Sequence, residues 1–237
     1  MLLNSFFRMS GSVRATGCVV FESSTPGTYT YNFPKQKRKI ITECVGGATA
    51  GFSAKLGFYA YGQGPYTGLV AISGTSGGYA TKNTSSSTDS FKVTVGSGGT
   101  AYSSTNVWGT VSSESPSIGL PASTSGTDSV VRRHNPSGLI EWPVVAKAGG
   151  GYASSVVFNS PENPFVVFYN FGSSDTISSN IGSSSYNMGD SPTVPGGASV
   201  YNGYGTGGSA GFSGNNQTGS PWANNGGNGY VKVTIAD

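Results

Sequence analysis

The sequence predicts an all-β fold, an antiparallel β-sandwich-like scaffold with long loops rich in glycine and serine. Three observations lead to this prediction. No long stretch free of glycine and proline places apolar residues at the helical spacing i, i+3, i+4, i+7. Short runs alternate apolar and polar residues, as half-buried strands do. Glycine clusters border these runs, and glycine permits sharp turns and close backbone approach.

The predicted strands are short runs of aliphatic, aromatic or β-branched residues between turn residues. In chain order they are Cys18 to Phe21, Tyr29 to Phe33, Lys39 to Val45, Leu69 to Ile72, Phe91 to Val95, Ser129 to Arg132, Leu139 to Ala146, Ser155 to Phe158, Pro164 to Asn170 and Tyr230 to Ile235. In the last strand we expect Val233 and Ile235 on one face, and Lys232 and Thr234 on the other. This strand should pair inside a sheet near the chain start.

Three long segments between the strands are rich in serine, glycine, asparagine and threonine. They are Thr100 to Asp128, Gly172 to Ser199 and Gly203 to Asn228. Loops of this length are uncommon in a compact domain unless they carry a function. We expect them to pack on one another at one end of the sheets, where they display a surface that can vary without affecting the core.

Composition separates this chain from disordered and from nucleic-acid-binding proteins. The chain is 12% aromatic and 35% hydrophobic, which is enough large apolar surface for a core. Only 10% of its residues are charged, against about 25% in ordinary soluble domains. Its basic cluster is confined to the turn before one strand, at Lys35, Lys37, Arg38 and Lys39. The sequence therefore predicts no nucleic-acid partner.

Cys18 and Cys44 are the only cysteines of the chain. Two cysteines are too few for a disulfide framework, and their spacing is not that of metal ligands. Each lies in an apolar run, which favours two buried thiols. A cross-strand disulfide between them is the alternative.

Four glycine-containing segments follow one another along the chain. They are Gly27 to Pro34 with its following strand into Gly46-Gly47, Gly77 to Ala80 with Phe91 to Ala101, Val145 to Gly151, and Gly226 to Ile235. In this order they resemble the glycine-rich domain of bacteriophage tail fibres, tail-tip adhesins and minor tail proteins. The resemblance spans residues 27 to 237, with long unmatched inserts.

The resemblance implies a non-enzymatic virion protein in the tail or on the outer surface of the particle. Such a protein displays its loops to a host surface glycan or an outer-membrane protein, and fibres of this kind are usually homotrimers. Phage adhesins can build their tips from polyglycine II helices, which need glycine at crowded helix contacts. Because its longest glycine run is Gly149-Gly150-Gly151, this chain is expected to contain at most minor polyglycine II segments.

Two other functions compete with adhesion. One is a capsid or tail decoration protein that only cements its neighbours. The other is a glycan depolymerase, in which a pair of carboxylates hydrolyses the glycosidic bond. His134 is the only histidine and has no nucleophile motif beside it. We therefore predict no enzyme activity, no catalytic residues, no metal site and no cofactor.

The predicted receptor-binding residues are aromatic side chains among small polar residues. They are Tyr59, Tyr61, Tyr66, Trp108, Tyr201, Tyr204 and Trp222. Tyrosine supplies rigid contact area, and the small polar residues around it supply adaptable hydrogen bonds. The alternative is that these rings fill the space between glycine-rich loops.

The N-terminal residues form an apolar arm. We divide the chain into residues 1–12, an assembly arm, and residues 13–237, a glycine-rich β domain with inserted loops. The arm carries Leu2, Leu3, Phe6, Phe7 and Met9, which would leave a large apolar surface exposed on a free segment. We expect them to pack against another virion protein or a symmetry mate, most simply in a homotrimer.

Overall fold

The computed structural model describes most of the domain. The described residues are 17–32, 38–60, 63–86, 90–111, 117–119, 125–134, 140–146, 152–158, 164–169, 186–188, 193–199, 201–213 and 219–236. Within them the fold is all-β, and its strands form several antiparallel sheets with a single parallel pair, Phe52–Ala60 with Tyr102–Val111. The predicted fold class is confirmed.

Two sheets form a sandwich that contains both ends of the described chain, and we call it the terminal layer. Sheet A has the order β1 (Cys18–Ser23), β18 (Tyr230–Ala236), β3 (Arg38–Val45), β6 (Tyr79–Ser86). Sheet B has the order β11 (Ile140–Ala146), β10 (Ser129–His134), β7 (Ser90–Val95), β2 (Gly27–Asn32). Their inner faces share a core of Ile40, Cys44, Ala80, Phe91, Val93, Val95, Val131, Val231 and Val233.

Three further sheets form a second layer, which we call the hairpin layer after its longest hairpin. Sheet C has the order β14 (Tyr186–Met188), β5 (Gln63–Ile72), β4 (Phe52–Ala60), β8 (Tyr102–Val111). Sheet D consists of β15 (Thr193–Val194), β16 (Ala210–Ser213) and β17 (Ser220–Ala223). Sheet E consists of β13 (Pro164–Tyr169), β12 (Tyr152–Phe158) and β9 (Ser117–Gly119).

Between the two layers lies a bundle of extended glycine-rich segments, which we call the glycine bundle. Its described members are residues 46–51, 73–78, 96–101, 125–128, 195–199, 205–209 and 224–229. Each leads from one layer to the other, and neighbouring members exchange backbone hydrogen bonds. A six-residue segment at the polyproline II rise spans about 19 Å. The bundle therefore holds the terminal and hairpin layers apart.

The central segment, residues 46–51, has the hydrogen-bond pattern of a threefold helix. Its first and fourth amides donate to residues 73–78, its third and sixth to residues 224–229, and its second to residues 125–128. All five N···O distances are 2.9 to 3.0 Å. A repeat of three with no bonds inside the segment is the geometry of polyglycine II. Residues 46–51 therefore have hydrogen bonding of the polyglycine II kind.

Glycine is required in this bundle where a backbone faces a neighbouring segment, and not along the whole chain. A β-carbon added to Gly74 would overlap the carbonyl group of Thr49, and one added to Gly47 would overlap that of Ser97. Bundle positions that do not lie against a neighbouring backbone carry residues other than glycine. At two of them, the buried hydroxyl of Thr75 donates to Thr49 Oγ1 at 3.2 Å. Close backbone packing in this bundle therefore does not need a long glycine run.

The three segments predicted as long loops contain strands. Thr100 to Asp128 includes β8 and β9, Gly172 to Ser199 includes β14 and β15, and Gly203 to Asn228 includes β16 and β17. Strands β4 and β6 also fall in regions where no strand was predicted. Serine, alanine and glycine give these strands too little hydrophobic alternation for their sequences to show it.

The C-terminal strand follows its prediction. Strand β18 lies between β1 and β3 inside sheet A. Val233 and Ile235 are 0% and 6% exposed on the inner face, whereas Lys232 and Thr234 point to the outer face and are half-buried. The alternation is confirmed.

The two cysteines are not bonded to each other. Cys44 is buried in the core and Cys18 is exposed in β1, so the prediction of two buried thiols holds for Cys44 only. Burial raises the pKa of the Cys44 thiol far above its usual value, and the nearby Glu43 carboxylate adds to the rise. Cys18 is exposed because it lies in the strand at the edge of sheet A.

Candidate functional site

Four tyrosine rings stack in a column on the outer face of sheet A. Tyr230 and Tyr79 flank Val45 in register on three neighbouring strands, so their side chains project from the same face. Tyr201 stacks on Tyr79 with ring centroids 4.8 Å apart, and Tyr204 stacks on Tyr230 at 4.2 Å. The rings of Tyr201 and Tyr230 lie 5.9 Å apart and join the two pairs. We call these four residues the tyrosine column.

The tight turn that supplies Tyr201 and Tyr204 is fixed by its own backbone. Both central residues have positive φ, 48° at Asn202 and 84° at Gly203. This is the pattern of a type I′ turn, for which Asn-Gly is the preferred pair. The Ser199 hydroxyl lies 2.6 Å from the Tyr204 carbonyl oxygen and accepts from the Tyr201 amide at 3.1 Å. The turn therefore presents its two rings in a defined position.

Two carboxylates accept hydrogen bonds from the column. Tyr201 and Tyr79 donate their hydroxyls to Glu43 Oε1 at 2.8 and 3.2 Å. Tyr230 donates to Glu22 Oε1 at 2.7 Å. These bonds join the outer face of sheet A to the turn after residue 199.

Burial raises the pKa of three column tyrosines. The pKa of Tyr201 rises to about 12, because of burial first and then its hydrogen bond to Glu43. Burial also raises the pKa of Tyr230, with the Glu22 hydrogen bond adding to the rise, and burial is the main cause of the rise in the pKa of Tyr79. These hydroxyls stay protonated at neutral pH and act as donors, so the column has no general base of its own.

Lys232 lies between the two carboxylates on the outer face. It is in register with Glu22 on one side and Glu43 on the other, and its Nζ is 4.0 Å from Glu43 Oε2. The side chains of Lys232 and Glu43 are 29% and 20% exposed. Water and salt screen a pair of this exposure, so its contribution is about 1 kcal/mol or less.

The predicted receptor-binding residues do not form one surface. Tyr201 and Tyr204 belong to the tyrosine column on the terminal layer. The others for which the structure describes a backbone lie in strands of the hairpin layer and not in loops: Tyr59 in β4, Tyr66 in β5, Trp108 in β8 and Trp222 in β17. Tyr61 and the assembly residues Leu2, Leu3, Phe6, Phe7 and Met9 lie outside the described residues.

Trp222 has a packing role in the hairpin layer. It pairs with Gly211 across sheet D, and a β-carbon at Gly211 would press on the indole ring. Its carbonyl oxygen accepts the Ser53 hydroxyl at 2.9 Å, and its side chain is half-buried. For this ring, as for Tyr201 and Tyr204, the contacts favour the space-filling alternative.

The sequence analysis did not identify two tyrosines of the column and the two carboxylates that accept its hydrogen bonds: Tyr79, Tyr230, Glu22 and Glu43. A signal for two of them was present, because Tyr79 and Tyr230 each follow a glycine and begin a strand. The carboxylates had no such signal, since their partners are distant in the sequence.

The described residues contain no group of three or more His, Cys, Asp or Glu side chains that could hold a metal ion. In the same residues there is no helix long and apolar enough to cross a membrane. No protein-family model and no curated protein matches this chain.

Proposed function

We propose that this chain is a non-enzymatic bacteriophage virion protein, a tail fibre or tail-tip adhesin. In this proposal the terminal layer faces the particle, and the hairpin layer faces a glycan or an outer-membrane protein of the host. The proposal starts from the ordered resemblance to glycine-rich phage tail domains.

The observation that carries the proposal is that residue 17 and strand β18 lie on the opposite side of the glycine bundle from the β4–β5 hairpin. Residue 17 lies against residues 234–236, at the end of sheet A that points away from the glycine bundle. The β4–β5 hairpin begins on the other side of the bundle and extends about nine residues from it, which is about 30 Å of strand. In this proposal the terminal layer can attach to the particle while the hairpin layer contacts the host surface.

The glycine bundle suits such a role because it supports a display surface without a large hydrophobic core. Its interior is made of backbone hydrogen bonds between segments. These bonds do not depend on the exposed side chains of the strands beyond the bundle, so those side chains can change without removing them. A surface for host recognition benefits from this freedom.

The experiment is a binding assay of labelled protein on host cells. The backbones of residues Phe58 and Tyr66 are paired in the β4–β5 register, so residues 59–65 can be replaced by Asn-Gly, a favoured two-residue hairpin loop. We expect the shortened protein to keep its melting temperature and lose most of its binding to the cells.

The matched control lies on the other side of the bundle. Asn202→Asp changes an exposed residue of the type I′ turn, where Asp-Gly is also favoured. This variant should bind as the wild type does. Full binding by the folded, shortened protein would assign receptor recognition to a surface other than residues 59–65. Absence of binding by the wild type would favour a purely cementing role.

A further inference from the structure

Strand β2 is the edge strand of sheet B in the part of the chain that the structure describes. Among the described residues it pairs only with β7, in a register that runs from Gly27 to Asn32 without a shift. Five of its six residues are exposed, and only Tyr29 is half-buried. A strand at the edge of a sheet presents backbone N–H and C=O groups that can pair with another strand.

This edge lacks the features that usually prevent such pairing. Residues 27–32 read Gly-Thr-Tyr-Thr-Tyr-Asn, without charge or proline, and threonine and tyrosine favour strands. The neighbouring edge strand β1 differs, because it contains the charged Glu22 and a register shift between Val19 and Phe21. Charges and bulges are the common protections of an edge.

Exposed apolar surface is concentrated at the same place. Among the described residues, the exposed large hydrophobic side chains are Val19 at 44% and Tyr31 at 37%. Val19 lies in β1 and Tyr31 in β2, and these strands are joined directly by residues 24–26. Phe21 and Tyr29 connect the two strands, with ring centroids 5.3 Å apart.

We propose that β2 pairs with β2 of a second copy of this chain, antiparallel about a twofold axis at Thr30. In this register Thr30 faces Thr30, Tyr29 faces Tyr31, and Thr28 faces Asn32 of the other copy. Threonine pairs and aromatic pairs are favourable cross-strand neighbours. Centring the pairing at Thr30 also leaves Pro26, which has no N–H, outside it.

Charge does not oppose self-pairing. The closest described cation along the sheet is Lys92 in β7, which faces Thr30 across the β2–β7 pair. In the paired sheet the two copies of Lys92 would be three strand spacings apart, about 14 Å. This exceeds the screening length of about 8 Å at physiological salt. An uncharged strand therefore meets its own copy without significant repulsion.

The test is the mass of the full chain in solution, measured by light scattering after size exclusion. We expect the wild type to have twice the 24.1 kDa of one chain. Thr30→Lys and Thr30→Glu each place two like charges opposite each other, so each variant alone should have the mass of one chain. An equal mixture of the two variants should regain the double mass, because the charges then attract.

The control is Asn83→Lys, which adds the same charge at an exposed position of β6 and should leave the double mass unchanged. Thermal melts check that every variant is folded. A wild-type mass of one or of three chains would overturn the proposal, as would a mixture that stays at the mass of one chain. Double mass in both charged variants would assign the contact to another surface, including the N-terminal arm.

Discussion

The backbone of Gly74 lies against the carbonyl group of Thr49, so closely that a β-carbon on Gly74 would overlap it. The same glycine donates its N–H to Gly208 at 2.8 Å. These contacts join three segments of the glycine bundle at one point. Close backbone packing, rather than side-chain packing, thus holds the middle of the molecule together.

Gly74→Ala should therefore destabilise the protein strongly. The added methyl group must push two backbones apart, which we expect to lower the free energy of unfolding by about 3 kcal/mol or more. In a domain of this size the melting temperature should fall by about 6–12 °C. Thr206→Ala, an exposed position of the same bundle, should change it little. If both variants had the melting temperature of the wild type, the bundle would not be closely packed at Gly74.

Val233→Asp tests the core of the terminal layer. Val233 is fully buried between sheets A and B, and an unpaired carboxylate there should cost several kcal/mol, on the order of half the total stability of a typical protein. Thr234→Asp changes the adjacent, outward-facing residue and should lower the melting temperature much less. Equal losses would mean that β18 does not present these faces.

Lys232→Asp should be mildly destabilising, although substitutions of outward-facing charged residues often leave stability unchanged. Glu22 and Glu43 flank this position in register, so a third carboxylate would stand between two others. We expect a loss of about 1 kcal/mol. The loss should shrink in about 1 M salt, where the screening length is about 3 Å. Lys232→Thr, measured in parallel, should lose less and respond less to salt.

The tyrosine column should make stability depend on alkaline pH. The pKa of Tyr201 is raised from 10.0 to about 12 in the folded state. The stabilisation from its protonated hydroxyl is fully present below pH 10 and is lost as the pH rises through about 12. Tyr201→Phe should lower the melting temperature at neutral pH and flatten its decline above pH 10. A decline as steep as that of the wild type would assign the alkaline sensitivity to other groups.

Strand β18 could be predicted because apolar and polar residues alternate along it: its valines point inward and the lysine between them points outward. Strands β4 and β8 were not predictable in this way, since stretches such as Ser53-Ala54 and Ser103-Ser104 have little hydrophobic contrast. Their positions depend on the bundle that leads into them.

The tyrosine column was only half predictable for a related reason. The Asn202-Gly203 pair between two tyrosines indicates a tight turn with two rings beside it. Its partners Tyr79 and Tyr230 are brought to it by the register of β6 and β18 with β3. The register between strands that are distant in the sequence depends on the packing of the whole core, so no local motif predicts it.

The position of the two layers on the virion tests the adhesin proposal most directly. One tag is fused after the last residue of the chain, which follows β18 of the terminal layer, and another is inserted into the segment that joins β4 to β5. Each tag is then labelled with antibody and located by electron microscopy. We predict both labels at the end of a tail fibre or at the tail tip, with the hairpin tag outermost. Labels spaced regularly over the capsid, or a hairpin tag buried against the particle, would contradict the proposal.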